Sequence, residues 1–182
     1  MFETVRNAFK IKDLRKKLFY TFFALIVVRI GSQLPVPGVK YEAIREMFNS
    51  QKSLDFFNQL TGGSFEQMSI FALNITPYIT ASIIIQLLTI AIPRLEELHK
   101  DGEEGRKKLT EYTRYVTIGL SVLESAAMAI GFGNSGYLTD DKITFTSVSV
   151  IIVSLTAGSA FLMWLGEQIT EKGVGNGISI IL

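Results

Sequence analysis

Glu124 stands alone in an apolar stretch, ten residues past Arg114 and with no further charge before Asp140. A carboxylate at that depth in a hydrophobic segment is a functional candidate by default. The other reading is a hydrogen bond to a Ser or Thr of a neighbouring helix. Arg29 interrupts a second apolar stretch, where it either snorkels to the surface or pairs inside a bundle. One Glu and one Arg do not make a proton relay. His99 is the only histidine and has no metal-ligand neighbours, and cysteine is absent, so disulfides and thiolate metal sites are excluded. No Ser/His/Asp set can be assembled, and neither enzyme activity nor a cofactor is expected. Gly173-Val174-Gly175-Asn176-Gly177 lacks a preceding strand and the full GxGxxG spacing. It is read as a flexible turn.

A second set of polar groups sits inside an uncharged run. Gln67 to Pro93 is 27 residues without a charge, with the core SIFALNITPYITASIIIQLLTIAI. That length suffices to cross a bilayer, whose hydrocarbon core of about 30 Å needs roughly 20 helical residues. A plain anchor has no use for Asn74, Thr76, Pro77, Thr80, Ser82 and Gln86. Polar groups and a helix breaker are tolerated at that depth only where protein or a watery cavity receives them. The segment therefore faces something other than lipid. Ile75 and Ile79, four apart, share one helical face.

The elements that must position these groups follow from composition. Of 182 residues 48% are hydrophobic and only 19% charged, against about 25% charged in soluble domains. The net charge of +1 averages basic and apolar zones and says nothing about partners. Four apolar stretches are long enough to span: 18–34, the run containing 75–93, 115–138 and 143–166; a fifth begins at Val174 and reaches Leu182. Lys and Arg number six before the first span, three in the loop 35–56, six in 94–114 and one near Asp140. This alternation predicts a cytoplasmic N-terminus, with 1–17, 94–114 and 167–173 on the cytoplasmic side. A cleaved signal peptide is the rival reading of the first 34 residues, but no small-residue cleavage site follows, and the chain turns at Pro35-Val36-Pro37-Gly38. Phe2, Val5 and Phe9 fall on one face among basic residues, which suits an arm lying on the membrane surface.

Within the first external loop, Leu54, Phe56, Phe57 and Leu60 form an amphipathic stretch before the hinge Gly62-Gly63. Phe65, Met68, Phe71 and Ala72 then predict a short apolar helix. Either this is an ordinary external loop or it is a re-entrant half-helix that breaks at Asn74–Pro77 before the true span. The loop 94–114 balances six basic against six acidic residues around Gly102 and Gly105. It reads as a solvated hairpin with no sequence-specific affinity for nucleic acid.

Four motifs, in order, carry a resemblance: RIGSQLPVPG (29–38), SIFALNITPYITASIIIQLL (69–88), EEGRKKLTEYTRY (103–115) and FLMWLGEQITEKGVGNGISII (161–181). Together they closely resemble the SecY family of protein-conducting channels, over essentially the whole chain from Leu18 onward. The resemblance implies an all-α polytopic membrane protein with ten spans in two inverted five-helix halves. This chain would supply four spans and the start of the fifth (174–182) of the N-terminal half, with a re-entrant plug helix in 57–74. It implies a pore subunit that passes unfolded secretory proteins and releases membrane segments sideways into the bacterial cytoplasmic membrane. The partners implied are the C-terminal half of the channel, the small membrane subunits SecE and SecG, the SecA motor or a translating ribosome, signal sequences of substrates and the lipid bilayer.

Residue by residue, Ile75, Ile79, Ile178 and Leu182 match the hydrophobic pore ring, Leu182 departing from the usual isoleucine. Residues 57–69 match the plug, here Phe57, Asn58, Leu60, Gly62, Gly63, Phe65 and Met68. Thr80, Ile83 and Gln86, with Glu124, match the lateral gate. Asn74 stands where glycine is common, which implies a stiffer plug hinge. The alternative from another class is a secondary transporter using Glu124 and the broken helix as its binding site. Isoleucines surround the break where a transporter would converge polar groups, which favours the pore.

Overall fold

The computed structural model describes residues 11–50, 63–64, 67–138 and 144–182. The apolar face at Phe2, Val5 and Phe9, the stretch 54–60, the plug positions Phe57, Asn58, Leu60, Gly62 and Phe65, and the turn at Asp140 lie outside the described residues. Among the described residues seven helices follow in order: α1 Lys12–Gly31, α2 Tyr41–Ser50, α3 Thr76–Ala91, α4 Pro93–Lys100, α5 Gly102–Asn134, α6 Phe145–Lys172 and α7 Gly177–Ile181. Among the described residues two isolated bridges, Pro35 with Ser69 and Val39 with Leu138, are the only β pairing.

Helices overrun the expected boundaries because charge marks where a helix changes solvent, not where it stops. α1 begins among the basic residues at Lys12 and ends at Gly31, three residues short of the expected 34. Asp13 in its first turn and Arg29 in its last complement the helix dipole. The expected loop 94–114 is a helical hairpin, α4 and about the first three and a half turns of α5. The expected loop 167–173 is largely the last turn and a half of α6, which runs to Lys172.

Pro77 does not break a helix. It occupies the first turn of α3, where its missing N–H is an orphan anyway and its fixed φ suits the start. The sharp bend comes later, at Ile92–Pro93, where α3 and α4 diverge by 103°. α5 and α6 are each long and apolar enough to cross a membrane, and the α3–α4 pair passes the same test as one bent unit. Phe19, Phe22 and Phe23 on α1, Leu87 and Ile90 on α3, Leu123 on α5 and Val153 on α6 are all more than 60% exposed. Water would not tolerate so much outward apolar surface, whereas lipid does. The protein is a multi-pass membrane protein.

One line of mostly small residues organises the bundle. Gly105, Leu109, Thr113, Thr117, Ser121, Ser125 and Ala129 of α5 are all buried, each four residues after the last. At 3.6 residues per turn such a line drifts by roughly 40° per step, about 240° over its length. It therefore winds around α5, which lets one helix pack against α4, α3 and α6. Thr113, Thr117 and Ser121 return their hydroxyls to carbonyls four residues earlier, at 2.9, 2.7 and 2.8 Å. Across the α5–α6 seam the Ser121 and Ser159 hydroxyl oxygens lie 3.2 Å apart, as do those of Ser125 and Thr156. Small side chains bring the backbones close, and shared hydroxyls add to that packing, as membrane helices require.

Two apolar clusters complete the core. One joins Val36, Ile44, Met68, Leu73, Leu138, Ile151 and Leu155. The other joins Ala24, Leu165 and Ile169, with Tyr20, Val28, Ile180 and Ile181 packed against it.

Candidate functional site

The segment before α3 is not the short apolar helix expected from Phe65, Met68, Phe71 and Ala72. Its described part, residues 67–75, is a chain of turns laid along the 34–36 backbone. Val36 N donates to Met68 O at 2.8 Å and Ile70 N to Leu34 O at 3.0 Å. These bonds take an acceptor and a donor that a helix would need, and Met68 adopts φ +45°, outside the helical region. Asn74 adopts φ +52°. Asparagine is one of the few side chains that tolerates this left-handed geometry, so it can hold the conformation that a glycine would.

Phe71 closes this segment onto the bundle. A Cβ on Gly31 of α1 would fall 2.0 Å from the Phe71 ring, and a Cβ on Gly158 of α6 would fall 1.9 Å from Ile70 O and 3.2 Å from Phe71. The Phe71 ring also stacks on Phe161, centroids 5.9 Å apart and 4° from parallel. The absence of side chains at 31 and 158 is what makes the socket. A cavity of about 460 Å³ adjoins it, lined by Val27, Ile30, Leu34, Ile70, Ser154 and Ala157 among others.

Four residues on, Ile75 is completely buried. Its Cδ1 would lie 3.3 Å from a Cβ on Gly166 of α6, with Ile178 Cδ1 at 2.8 Å and Ile181 Cδ1 at 3.5 Å from the same point. Of the four expected ring positions, the structure thus brings Ile75 and Ile178 together. Ile79 is half-buried on the next turn of α3, its N–H donating to Ile75 O at 3.1 Å, and Leu182 is 59% exposed. Of the other expected plug positions, Met68 is fully buried, and Gly63 takes φ +86°.

The expected gate residues sit on one stretch of α3: Thr80 half-buried, Ile83 and Gln86 exposed. Gln86 Nε2 donates to Ser82 Oγ at 3.5 Å, on its own helix. Glu124 is half-buried on α5, which packs against α3. Among the described residues it has no hydrogen-bond or ion-pair partner, so the expected bond to a neighbouring Ser or Thr is not made. Ser121 and Ser125, on either side of it, bond across to α6 instead. Arg29 is exposed and shares a surface groove with Phe22, Ile26 and Gln33.

Two polar anchors escaped the sequence reading because their partners lie far apart in the chain. Arg114 grips Glu167 in a bidentate pair, Nε to Oε1 at 3.0 Å and Nη2 to Oε2 at 2.8 Å, tying α5 to α6. The hydrogen bonds it donates to Glu167 raise the Arg114 pKa above its ordinary value. With Arg114 47% exposed, solvent screens much of this attraction. A double-mutant cycle of Arg114→Ala and Glu167→Ala, read by thermal unfolding in detergent, is expected to give a coupling of about 1 kcal/mol that shrinks in high salt. The glycine-rich turn at 173–177 is pinned rather than flexible. Val174 N donates to Thr21 Oγ1 of α1 at 3.1 Å, Gly177 N donates to Thr170 Oγ1 at 2.8 Å, and Asn176 Oδ1 caps α7 by accepting from Ile178 N and Ser179 N. No group of three or more His, Cys, Asp or Glu that could hold a metal occurs among the described residues.

Comparison with known proteins places this geometry. Residues 69–182, more than half of the chain, match the SecY family. The whole chain is 49% identical over 186 residues to the protein translocase subunit SecY of Halalkalibacterium halodurans and 48% identical over 185 residues to that of Bacillus subtilis, covering 42% of each. It is 43% identical to the Streptomyces coelicolor subunit, covering 44% of that protein. The chain thus spans less than half the length of these relatives. The fold is that of two solved channels, Sec61 in a canine ribosome-channel complex from the endoplasmic reticulum and a second protein conducting channel. Each has a TM-score of 0.61 and 21% identity over 92% of this chain and 35% of the channel chain. The chain belongs to the SecY family.

Proposed function

We propose that this chain forms part of the pore subunit of a protein translocation channel in the bacterial cytoplasmic membrane. Its N-terminus would be cytoplasmic, and α3 would carry half of the constriction and one side of a lateral gate. The observation that carries this reading is the meeting of Ile75 and Ile178 at Gly166, two branched aliphatic tips supplied by segments about a hundred residues apart. A constriction of such side chains blocks ions by dewetting yet yields to an entering polypeptide. Ile79 and Leu182, more exposed than Ile75, extend the same aliphatic set toward the side that the remaining half of the channel would cover.

Thr80, Ile83, Gln86 and Glu124 would form the gate. A helix interface containing an unpartnered carboxylate and an amide is weaker than an aliphatic one, so a signal sequence could separate it. The partners would be the C-terminal half of the channel, SecE, SecG, and SecA or a ribosome. The transporter alternative loses ground because Pro77 starts a helix rather than breaking one.

The test is resting ion conductance of the full-length protein in planar bilayers. Ile79→Ser, and Ile75→Ser combined with Ile79→Ser, are expected to raise it by about tenfold or more, because a polar ring wets. Unchanged conductance in both folded variants would sink the assignment.

A further inference from the structure

We propose that Phe71 is the positioning residue of the constriction: seated between Gly31 and Gly158 and stacked on Phe161, it sets where Ile75 meets Gly166. This rests on Ile75 belonging to the constriction. The argument is one of register along α6. Gly158 and Gly166 are eight residues apart, roughly 12 Å along the helix and about 80° apart around it. At the first, a missing side chain admits the Ile70 carbonyl and the Phe71 ring; at the second it admits the tips of Ile75 and Ile178. Four residues of chain therefore span the interval between two fixed seats.

That chain has little freedom to choose another register. Upstream it is tied to 34–36 through Val36 N to Met68 O and Ile70 N to Leu34 O. Within it, Phe71 N donates to Ser69 Oγ at 3.2 Å and Asn74 N to Phe71 O at 2.8 Å. Downstream, Ile79 N and Tyr78 N both donate to Ile75 O, so Ile75 is already committed to the α3 cap. Residues from α1, α6 and the turn segment thus meet on one aromatic ring, and displacing that ring frees a side-chain wedge that engages all three.

The experiment reads position directly. Cysteine is introduced at Ile75, or at Ser121 as a control on the buried α5–α6 seam, in the full-length protein freed of any other cysteine. Labelling by a water-soluble maleimide is followed in membranes. With Phe71 intact both sites are protected, being 0% and 1% exposed. In Phe71→Ala, labelling at position 75 is expected to accelerate at least about tenfold while position 121 stays protected, because local opening exposes only the released segment. Phe71→Leu, which refills part of the socket, is expected to fall between the two. Unchanged protection at 75 in Phe71→Ala overturns the proposal. So does parallel exposure of 75 and 121 in both Phe71→Ala and Phe71→Leu, which would report general loosening. Resting conductance of the same variants separates the two claims: faster labelling without added leak keeps the positioning role and removes Ile75 from the constriction.

Discussion

Gly158→Ala is expected to destabilise the folded protein by about 3 kcal/mol or more, the upper end of what overpacking costs. The added methyl would fall 1.9 Å from Ile70 O and 2.7 Å from Ile70 C. These are backbone atoms, and Ile70 is held in place by its own bond to Leu34 O at 3.0 Å. No rotamer change can make room, so either α6 retreats or the bridge to 34–36 opens. Gly119 and Gly131 of α5 supply the comparison, since a Cβ at either meets nothing within 4 Å. Alanine there relieves helix glycine and is expected to stabilise by roughly 0.5–1 kcal/mol. Thermal unfolding of the three purified full-length variants in one detergent checks both signs together. Equal effects at 158 and 131 would refute the close approach of the turn segment to α6.

The second large effect is expected on α5, where Ser121→Leu should cost about 2–3 kcal/mol and Ser121→Ala much less. The two substitutions separate two explanations of the buried line on α5. If interhelical hydrogen bonds held the seam, losing the Ser121–Ser159 contact would be the main loss. Such bonds between membrane helices average only about 0.6 kcal/mol. If close approach matters more, alanine is tolerated and leucine is not, because Ser121 is 1% exposed in the seam between two packed helices. The same unfolding assay decides. A Ser121→Ala loss as large as that of leucine would transfer the credit to hydrogen bonding.

Spans were legible because apolar length and Lys/Arg placement are local properties of the chain. α5 and α6 overlap the apolar stretches 115–138 and 143–166 without sharing their bounds. The helix ends were not legible, since α5 continues through Glu103 to Arg114 as a helix outside its apolar part. Composition reports solvent, and helices can cross from one solvent to another. The turn segment at 67–75 misled for a different reason. Its apolar residues have helical spacing, yet backbone bonds to Leu34 and Val36 compete for its backbone groups, and such long-range pairing leaves no local mark. Socket glycines were similarly hidden, because a missing side chain reads the same whether it admits a ring or opens on nothing. The four-residue spacing of mostly small residues from Gly105 to Ala129 is present in the sequence and is the signal that marks the α5 seam.

The bond from Val174 N to Thr21 Oγ1 links positions 153 residues apart, and the second apolar cluster joins Ala24 to Leu165 and Ile169. This has a consequence for the order of events at birth. α1 docks against residues that are synthesised 153 positions later. At synthesis rates of roughly 5–20 residues per second, about 8–30 s separate the two. For that interval the apolar face around Ala24 has no cognate surface to settle on, so any helper that shelters it must act early, let go late, and be outcompeted by residues 165–174 of the same molecule.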